Sequence, residues 1–223
     1  MDDASLFTLI RGDLFTAVVG DVLDAMGLQR QFLPAEIKPL DPRTKLVGRA
    51  MPVIEADYFG DGASGPFASK PFGLMFEALD DLKPGEIYIA TGASLAYALW
   101  GGLMSTRALR LEAAGAILDG YVRDSAEIAR LGFSVFSRGL YAQDQGPRGK
   151  VIDFRCAIEV GGVAVRPGEL LFGDVEGVLV IPREAEAEAI GRALEKAKTE
   201  SAVANAIRGG MSASQAFADF GVM

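Results

Sequence analysis

The sequence predicts one mixed α/β domain with a β-rich half and a C-terminal helical arm. Its 223 residues are 50% apolar, which is enough to bury one large core. Residues 151–182 contain β-branched runs broken by Gly-Gly, Pro-Gly and Gly-Asp pairs, and this pattern predicts a meander of strands. Residues 183–207 are rich in Ala, Glu and Lys and predict a helix, and "SASQAFADF" predicts a second, shorter one. We expect a single domain over residues 1–223.

The first 150 residues alternate between helical and strand patterns. Residues 12–26 carry apolar side chains at helical spacing and stop at Gly27, a residue type common at helix C-termini. Helices are also predicted over 73–82 and over 103–114, the second closed by Gly115. Strands are predicted for "KLVGRAMPVIEA", "EIYIAT", "AILDGYV" and "LGFSVFSRG", and a loop for "TGASLAYALWGG".

Charge and rare residue types narrow the possible functions. The formal charge is −8, with 30 acidic and 22 basic residues and no long Lys/Arg run, so we expect no nucleic-acid partner. The acidic N-terminus lacks the basic start of a signal peptide, and no apolar run reaches the length of a membrane span. We therefore expect a soluble, cytoplasmic protein that does not bind membranes.

The chain contains no histidine and one cysteine, Cys156. Ser-His-Asp and Cys-His catalysis, His-ligated zinc and a cysteine-rich zinc site are therefore excluded. Any catalysis must use carboxylates, Lys, Arg, Tyr, backbone amides, water or a hard metal ion held by oxygen. The glycine-rich residues 60–65, "GDGASG", match a dinucleotide fingerprint only weakly, because no helix pattern follows directly, and we interpret them as a flexible loop.

The stretch "GYVRDSAEI" has two interpretations. Asp124 followed three residues later by Glu127 is typical of a capping box, in which Asp124 caps a helix and Glu127 reaches back. That interpretation leaves Arg123 unexplained, since a guanidinium at the end of a buried strand needs an anion, and a planar carboxylate fits its fork. Asp124 would then offer oxygen to a hard divalent metal.

The stretch "WGGLM" has a structural and a functional interpretation as well. Two glycines at the start of a helix allow close backbone packing, or they leave unpaired N–H groups that bind a carboxylate or a phosphate. Twenty residues separate Gly102 from Arg123, enough for one helix, a turn and a returning strand. We expect the amides of Leu103 and Met104 and the Arg123 guanidinium to meet at one rim and bind a small carboxylate.

The pattern Gly102-x20-Arg123-Asp124-x2-Glu127 resembles the signature of the RraA-like family, which includes the class II 4-hydroxy-4-methyl-2-oxoglutarate aldolases. Further similar segments are "GDVLDAMG", "PGEIYIATG", "GAILDGYVRD" and "PGELLFGDVEGVLVIP". The resemblance implies a three-layer β/β/α swivelling-type fold with a C-terminal helical arm, assembled as a homotrimer or homohexamer. Helices of the arm, residues 183–223, would pack on a neighbouring subunit.

The resemblance also implies roles for individual residues. Arg123 would hold the pyruvyl substrate, and Gly102, Leu103 and Met104 would bind its carboxylate through backbone amides. Asp124 would carry Mg²⁺ or Mn²⁺ largely through waters, with Glu127 in an outer or structural position. Glu200 of a neighbouring subunit would complete the outer shell of the metal. Gly102 stands where many relatives carry an acid, which leaves the aldol substrate open.

These observations predict a divalent-metal-dependent lyase that cleaves a pyruvyl-containing 2-oxo acid through a pyruvate enolate. Retro-aldol cleavage of a 4-hydroxy-2-oxo acid and decarboxylation of oxaloacetate share that enolate, whose oxyanion Arg123 and a metal can stabilise without histidine. The alternative is a non-catalytic regulator of RNA processing that acts by protein–protein binding. We also predict a homo-oligomer, because the arm would otherwise expose several apolar side chains: Ile190, Leu194, Val203, Ile207 and Phe217.

Overall fold

A large mixed sheet organises the chain in the computed structural model, which describes residues 2–59 and 67–221. The strand order is β1-β7-β5-β3-β2-β12-β13, and β9 also pairs with β2. Neighbours from β7 to β2 run parallel, while β12, β13, β9 and β1 join antiparallel. The strands are β1 Lys38–Pro39, β2 Leu46–Asp57, β3 Glu86–Thr91, β5 Gly115–Leu118, β7 Val135–Ser137, β9 Gly149–Phe154, β12 Leu170–Asp174 and β13 Gly177–Ile181.

Alternating side chains give the large sheet two different buried faces. On β3, Ile87 and Ile89 point to an inner cluster, whereas Tyr88 and Ala90 point to the helices. The same alternation holds on β12, where Leu171 faces inward and Phe172 faces the helices. Since side chains of a strand alternate between faces, strands buried on both faces read as continuous apolar runs. This explains why "EIYIAT" and "GVLVI" contain so few polar residues.

Helices cover one face of the sheet, and a hairpin covers part of the other. The hairpin consists of β10 Ile158–Val160 and β11 Val163–Val165. The first and last residues of both strands pack in the inner cluster. The helices are α1 Asp3–Asp13, α2 Thr16–Ala25, α3 Met75–Asp80, α4 Gly102–Arg110, α5 Ser125–Leu131, α6 Glu186–Arg208 and α7 Ala213–Phe220. The predicted mixed α/β class with β/β/α layering and a C-terminal helical arm is confirmed.

A separate three-stranded sheet lies beside the helices. It is formed by β4 Ala98–Trp100, β6 Tyr121–Val122 and β8 Gly139–Leu140, in the order β4-β6-β8 and with every pair parallel. The sequence pattern predicted a loop at β4, which is wrong, and one strand over 116–122, which divides into β5 and β6. The interruption falls at Asp119, whose carboxylate accepts hydrogen bonds from Thr91 Oγ1 at 2.8 Å and from Arg138 Nε at 2.7 Å.

The predicted helix over 12–26 is in fact two helices separated by Leu14 and Phe15. Leu14 is extended, with φ −117°, and α1 before it begins at the cap Asp2, whose side chain accepts from the Ser5 N–H at 2.8 Å. Asp174 of β12 receives hydrogen bonds from both the backbone N–H and the hydroxyl of Thr16, at 2.8 and 2.7 Å. A distant carboxylate therefore caps α2, because its own N-cap residue, Phe15, has no oxygen to offer.

The first half of the helical arm packs on its own chain. Ile190 and Ala193 are buried against α1 and α2, and Lys196 forms an ion pair with Asp21 of α2 at 2.5 Å. Val203 is also buried, so the expectation that Ile190 and Val203 are exposed in a single chain is wrong. Within residues 183–221, the large apolar side chains of the arm that are exposed are Ile207, Phe217 and Phe220. The homo-oligomer stays a prediction, and the apolar surface that this described part of the arm offers it is smaller than expected.

Two further expectations concern membrane-spanning helices and the glycine-rich segment 60–65. Within residues 2–59 and 67–221, no helix combines the length and the apolar character needed to cross a membrane. The glycine-rich segment 60–65, interpreted above as a flexible loop, lies outside the residues that the structure describes.

A carboxyl group is buried in the core behind the small sheet. Glu55 of β2 is 1% exposed, and in the described part of the chain its Oε1, the hydroxyl of Tyr88 and Nε2 of Gln145 have no hydrogen-bond partner. Burial raises the pKa of Glu55 to about 8, the negative charge of Asp57 adds to this, and the nearby amide of Gln145 opposes it. Glu55 is therefore a neutral carboxylic acid at neutral pH.

This burial predicts a specific loss of stability as the pH rises. The folded-state pKa of Glu55 lies above its usual value of 4.5, so between these values the folded protein holds a proton that the unfolded chain releases. The contribution of Glu55 to stability is complete below pH 4.5 and is lost progressively up to about pH 8. Glu55→Gln keeps the shape and does not titrate. We expect the unfolding free energy of Glu55→Gln, relative to wild type, to increase by up to about 1.4 kcal/mol per pH unit.

The measurement is chemical denaturation of both proteins at pH 5, 6, 7 and 8. Other titrating groups cancel in the difference between the two proteins. The matched control is Glu159→Gln, since Glu159 is an exposed glutamate on β10. Its difference from wild type should not depend on pH over this range. A difference for Glu55→Gln that is flat, or that decreases with pH, would show that Glu55 is ionised in the folded protein.

Candidate functional site

The three parallel strands of the small sheet end at the same edge. Trp100 of β4 lies opposite Val122 of β6, and Val122 lies opposite Leu140 of β8. The residues that follow these strands are the start of α4, the pair Arg123-Asp124 and the loop 141–148. Chain segments after neighbouring parallel strands emerge side by side, and ligand sites of α/β proteins commonly form there. The start of α4 and Arg123 therefore lie next to each other, with the Arg123 N–H bound to the Trp100 carbonyl.

Asp124 adopts a left-handed backbone conformation and directs its carboxylate to α4. Its φ is 58°, which is uncommon for a residue other than glycine, although aspartate tolerates it better than most. Oδ2 of Asp124 accepts a hydrogen bond from the Gly102 N–H at 3.0 Å. The side chain makes no capping hydrogen bond to α5, although Asp124 occupies the N-cap position. The capping-box interpretation is therefore wrong, because the carboxylate binds the neighbouring helix instead of its own.

Gly101 leaves the space that this contact requires. A Cβ atom at position 101 would lie 2.9 Å from Oδ2 of Asp124 and 3.3 Å from Cγ of Arg123. The backbone of Gly101 is extended, with φ −156°, a conformation that any residue adopts. Glycine is therefore needed here for space and not for conformation. Close packing and an open helix N-terminus, offered above as two interpretations of "WGGLM", occur together.

The first turn of α4 points backbone N–H groups towards the same region. The first intrahelical bond of α4 is donated by the Ser105 N–H to the Gly101 carbonyl, at 3.0 Å. The N–H groups before it, those of Leu103 and Met104 among them, have no carbonyl one turn earlier to bind. The Leu103 side chain is 87% exposed, so the helix start is accessible from solvent. These amides and the positive end of the helix dipole favour an anion.

Arg123 is fixed between two carboxylates. Its backbone N–H donates to the Trp100 carbonyl at 3.0 Å, and its Nη1 lies 2.7 Å from Oδ1 of Asp144. Its Nε lies 3.8 Å from Oδ2 of Asp124. The other oxygen of Asp144 accepts from the Gly146 N–H at 3.0 Å, which holds Asp144 in place. The guanidinium has five N–H donors, so donors remain for a ligand.

Asp144 is a site residue that the sequence analysis missed. It lies in the loop "YAQDQGPRGK", which carries no motif that distinguishes it from an ordinary polar loop. Its position depends on the parallel pairing of β6 with β8, in which Tyr121 lies opposite Gly139. A strand of two residues has almost no sequence pattern, so the pairing could not be predicted.

These groups surround one pocket of about 410 Å³. Its polar end consists of the backbone of Gly101, Leu103 and Met104 together with Arg123, Asp124, Asp144 and Gln145. Its apolar end is lined by the side chains of Phe72, Met75, Phe76, Leu79 and Leu99, and by the side chain of Met104, whose backbone belongs to the polar end. Asp80 and Arg107 also line the pocket, and they are bound to each other, with Arg107 Nε 2.7 Å from Asp80 Oδ1. The volume falls within the range of small-molecule sites.

The predicted metal-binding acids do not converge within one chain. Glu127 forms an ion pair with Arg130 and lines an adjacent groove with Gly102 and Thr106. Glu200 of α6 lies 3.6 Å from Lys196, and it is absent from the lining of the pocket. Among the described residues, no three acidic or cysteine side chains form a group that could hold a metal ion.

A single carboxylate is nevertheless a suitable ligand for Mg²⁺ or Mn²⁺. Asp124 is half-exposed, and within the described residues its Oδ1 takes part in no hydrogen bond while Oδ2 binds the Gly102 amide. Mg²⁺ commonly keeps several waters and uses one or two carboxylates together with substrate oxygens. The donor atoms at the polar end of the pocket are therefore of the type that such an ion takes.

Gly102 packs closely against Asp124 and Glu127. A Cβ atom at position 102 would lie 3.2 Å from Cγ of Glu127 and 3.3 Å from Cβ of Asp124. A side chain at position 102 would therefore press against Asp124 and Glu127, and glycine leaves this space to the groove that Glu127 and Arg130 also line.

Two curated relatives cover nearly the whole chain. Protein DlpA of Legionella pneumophila is 29% identical over 92% of this chain, and the match spans 32% of DlpA, about a third of its length. A protein of Halalkalibacterium halodurans named "Putative 4-hydroxy-4-methyl-2-oxoglutarate aldolase" is 30% identical, over 91% of this chain and 89% of its own length.

Solved structures share the fold. An uncharacterised protein of Pseudomonas syringae superposes with a TM-score of 0.86 at 25% identity, covering 98% of this chain and 95% of that protein. Streptomyces coelicolor RraAS2, described as an unusual member of the RNase ES inhibitor RraA protein family, superposes with a TM-score of 0.75 at 20% identity, covering 90% and 96%.

Residues 16–180, which include the large sheet and every residue of the polar end of the pocket, match the family model described as RraA-like, Aldolase/RraA. The resemblance seen in the signature around Arg123 therefore extends over most of the fold. This chain belongs to the RraA-like, Aldolase/RraA family.

Proposed function

We propose that the protein is a divalent-metal-dependent lyase that cleaves a pyruvyl-containing 2-oxo acid through a pyruvate enolate. The observation that carries this proposal is the convergence of three groups at one pocket: the amides of the α4 N-terminus, the Arg123 guanidinium and the Asp124 carboxylate. They match the needs of a 2-oxo acid, which has a carboxylate, an adjacent carbonyl oxygen and a pair of oxygens able to bind a hard metal.

The amides of Leu103 and Met104 would bind the substrate carboxylate. They lie at the positive end of α4, where an anion is favoured by both hydrogen bonding and the helix dipole. Arg123 would donate to the C2 oxygen of the substrate, and Asp144 acts as a positioning residue, because its carboxylate lies 2.7 Å from Nη1 and sets the plane of the guanidinium. This arrangement places donors where negative charge develops when the enolate forms.

Asp124 would hold the metal through its free oxygen while the Gly102 amide fixes the other. When bound, Mg²⁺ or Mn²⁺ supplies a further positive charge to the developing oxyanion. A neighbouring subunit in the predicted homo-oligomer would contribute Glu200 to the outer shell of the ion. The exposed end of the helical arm, with Ile207, Phe217 and Phe220, is the surface that supports such an assembly.

The chemistry of the two candidate reactions differs in one respect. In retro-aldol cleavage a base removes the C4 hydroxyl proton, the C3–C4 bond breaks, and its electron pair becomes the enolate; protonation at C3 then gives pyruvate. In oxaloacetate decarboxylation the same bond breaks with release of CO₂, and no base is needed. Oxaloacetate therefore tests binding of the 2-oxo acid and stabilisation of the enolate, without the step in which a base removes the hydroxyl proton.

The second candidate function is a non-catalytic regulator of RNA processing that binds other proteins. It is favoured by the similarity of the fold to RraAS2, which is described as belonging to an RNase ES inhibitor family. Glu127 pairs with Arg130 and is absent from the lining of the pocket, so it does not help to choose between the two functions. The site-forming residues Arg123, Asp124 and the α4 amides now support the enzyme.

The deciding experiment is a pyruvate-coupled assay of the purified wild-type protein. We expect pyruvate release from oxaloacetate and from a panel of 4-hydroxy-2-oxo acids in the presence of Mg²⁺ or Mn²⁺, abolished by EDTA and restored by added metal. Spontaneous metal-catalysed decarboxylation is subtracted with a protein-free control. A protein that binds neither metal nor 2-oxo acid and releases no pyruvate would favour the regulator.

Arg123→Lys tests whether the Arg123 guanidinium binds the substrate. We expect most of the turnover to be lost while the melting temperature stays close to wild type, because an ammonium group cannot reproduce the forked contact of a guanidinium with planar oxygens. The measurements are kcat/KM for oxaloacetate and thermal unfolding. Arg192→Lys is the matched control, since Arg192 is an arginine on the surface of α6 that pairs with Glu188. Turnover near wild type in Arg123→Lys would refute its role.

Asp124→Asn separates a structural from a metal-binding role. Asparagine keeps an oxygen that accepts from the Gly102 amide and tolerates the left-handed backbone, so the melting temperature should change little. The lost negative charge should weaken Mn²⁺ binding, measured by calorimetry, and lower turnover, each by at least about tenfold. Asp153→Asn on β9 is the control. Full EDTA-sensitive activity in Asp124→Asn would show that the metal is held elsewhere.

A further inference from the structure

The pocket is divided into two chemically different ends, which restricts the substrate beyond its pyruvyl part. The polar end holds the amides, Arg123 and Asp124, and accounts for a carboxylate, a carbonyl oxygen and a metal. The apolar end continues from it along α3 and α4. Phe72 and Phe76 form an edge-to-face pair with ring centroids 5.4 Å apart, and Leu79 and Leu99 behind them are buried. A substrate held at the polar end by its carboxylate and its C2 oxygen would extend beyond C3 along this mainly apolar lining.

The charges at the apolar end are already paired. Among the residues that line the pocket, the cations are Arg107 and Arg123. Arg123 is occupied by Asp144 and by its role at the polar end, and Arg107 donates to Asp80 at 2.7 Å. Among the described lining residues no unpaired cation would receive a second carboxylate of the substrate, which would lose water at the apolar end, and this is unfavourable.

We propose that the substrate carries an apolar substituent, aliphatic or aromatic, at C4, and that this substituent lies between Phe72, Phe76 and Leu79. The inference rests on the proposed lyase function and adds the substrate class: a monocarboxylic 4-hydroxy-2-oxo acid with a hydrocarbon tail, in place of a dicarboxylic or tricarboxylic one. Each methylene of the tail that enters the pocket raises kcat/KM by roughly fourfold, the amount expected for burial of a CH₂ group.

The test compares two substrates of equal chain length. 4-Hydroxy-2-oxoheptanoate ends in a methyl group, and 4-hydroxy-2-oxoheptanedioate ends in a carboxylate at the same position. We expect kcat/KM for the monoacid to exceed that for the diacid by at least about tenfold, the discrimination expected when one charge must be desolvated without a partner. The non-cleavable 2-oxoheptanoate and 2-oxoheptanedioate, measured by calorimetry with Mg²⁺ present, should show the same preference in binding.

Asp80→Asn tests the cause of this preference. The change removes the carboxylate that neutralises Arg107. Asp80 is exposed, so the fold should tolerate the substitution. We expect the preference for the monoacid to fall by about tenfold or to reverse, through better use of the diacid. The matched control is Glu188→Gln, which frees Arg192 on α6 in the same way but lies far from the pocket lining. It should leave both kcat/KM values unchanged.

The outcomes distinguish this inference from the proposed function. Decarboxylation of oxaloacetate together with equal or better use of the diacid would overturn the apolar tail and leave the lyase function standing. Tighter binding of 2-oxoheptanoate without pyruvate release from any substrate would overturn the lyase function and support the apolar pocket. If the protein shows no binding and no turnover of any of these compounds, both the lyase function and the apolar tail are overturned. An unchanged preference in Asp80→Asn would overturn the explanation based on the Arg107–Asp80 pair.

Discussion

The parallel alignment of β4, β6 and β8 is the constraint on which the candidate site depends. These strands contain two or three residues each, and their pairing places three distant chain segments at one edge. The amide of Gly102, the guanidinium of Arg123 and the carboxylate of Asp144 come from these three segments. Without the alignment, the helix N-terminus and the arginine would remain separate features of the chain. The surrounding helices α3, α4 and α5 pack on the sheet, and residues of α3 and α4 line the pocket.

Electrostatic balance explains how an arginine and several acids can share this edge. Arg123 lies between Asp124 and Asp144, and the Asp124 carboxylate is further compensated by the Gly102 N–H. Each of these half-buried charges therefore has a partner within the protein, which lowers the desolvation cost of placing them together. The remaining N–H groups of the Arg123 guanidinium and the first-turn amides of α4 are the donors that can bind an anion. The site is thus organised in advance of binding.

The core next to the site contains three buried polar side chains whose burial is energetically unfavourable. Glu55, Tyr88 and Gln145 each carry a buried polar atom that has no partner within the described residues, and Gln145 also lines the pocket. Buried unsatisfied groups reduce stability, and they are commonest where function, and not packing, sets the residue. Trp100 separates part of this cluster from the pocket and packs on Tyr88 with ring centroids 4.9 Å apart. The least satisfied part of the core therefore adjoins the site.

The sequence by itself determined the fold class, several elements and the centre of the site. "EIYIAT" forms β3 over the predicted residues, and the pattern around Gly102, Arg123 and Asp124 identified the groups that meet at the pocket, because periodicity and strand-turn-helix order are local properties. Only the tertiary structure decided the partners of the side chains. The Asp124 carboxylate binds an amide 22 residues earlier and not its own helix, and Asp174 caps α2 across 158 residues. Asp144 joins Arg123 only because two-residue strands pair. Such choices depend on which segments the sheet brings together, and a local pattern carries no information about a partner that is distant along the chain.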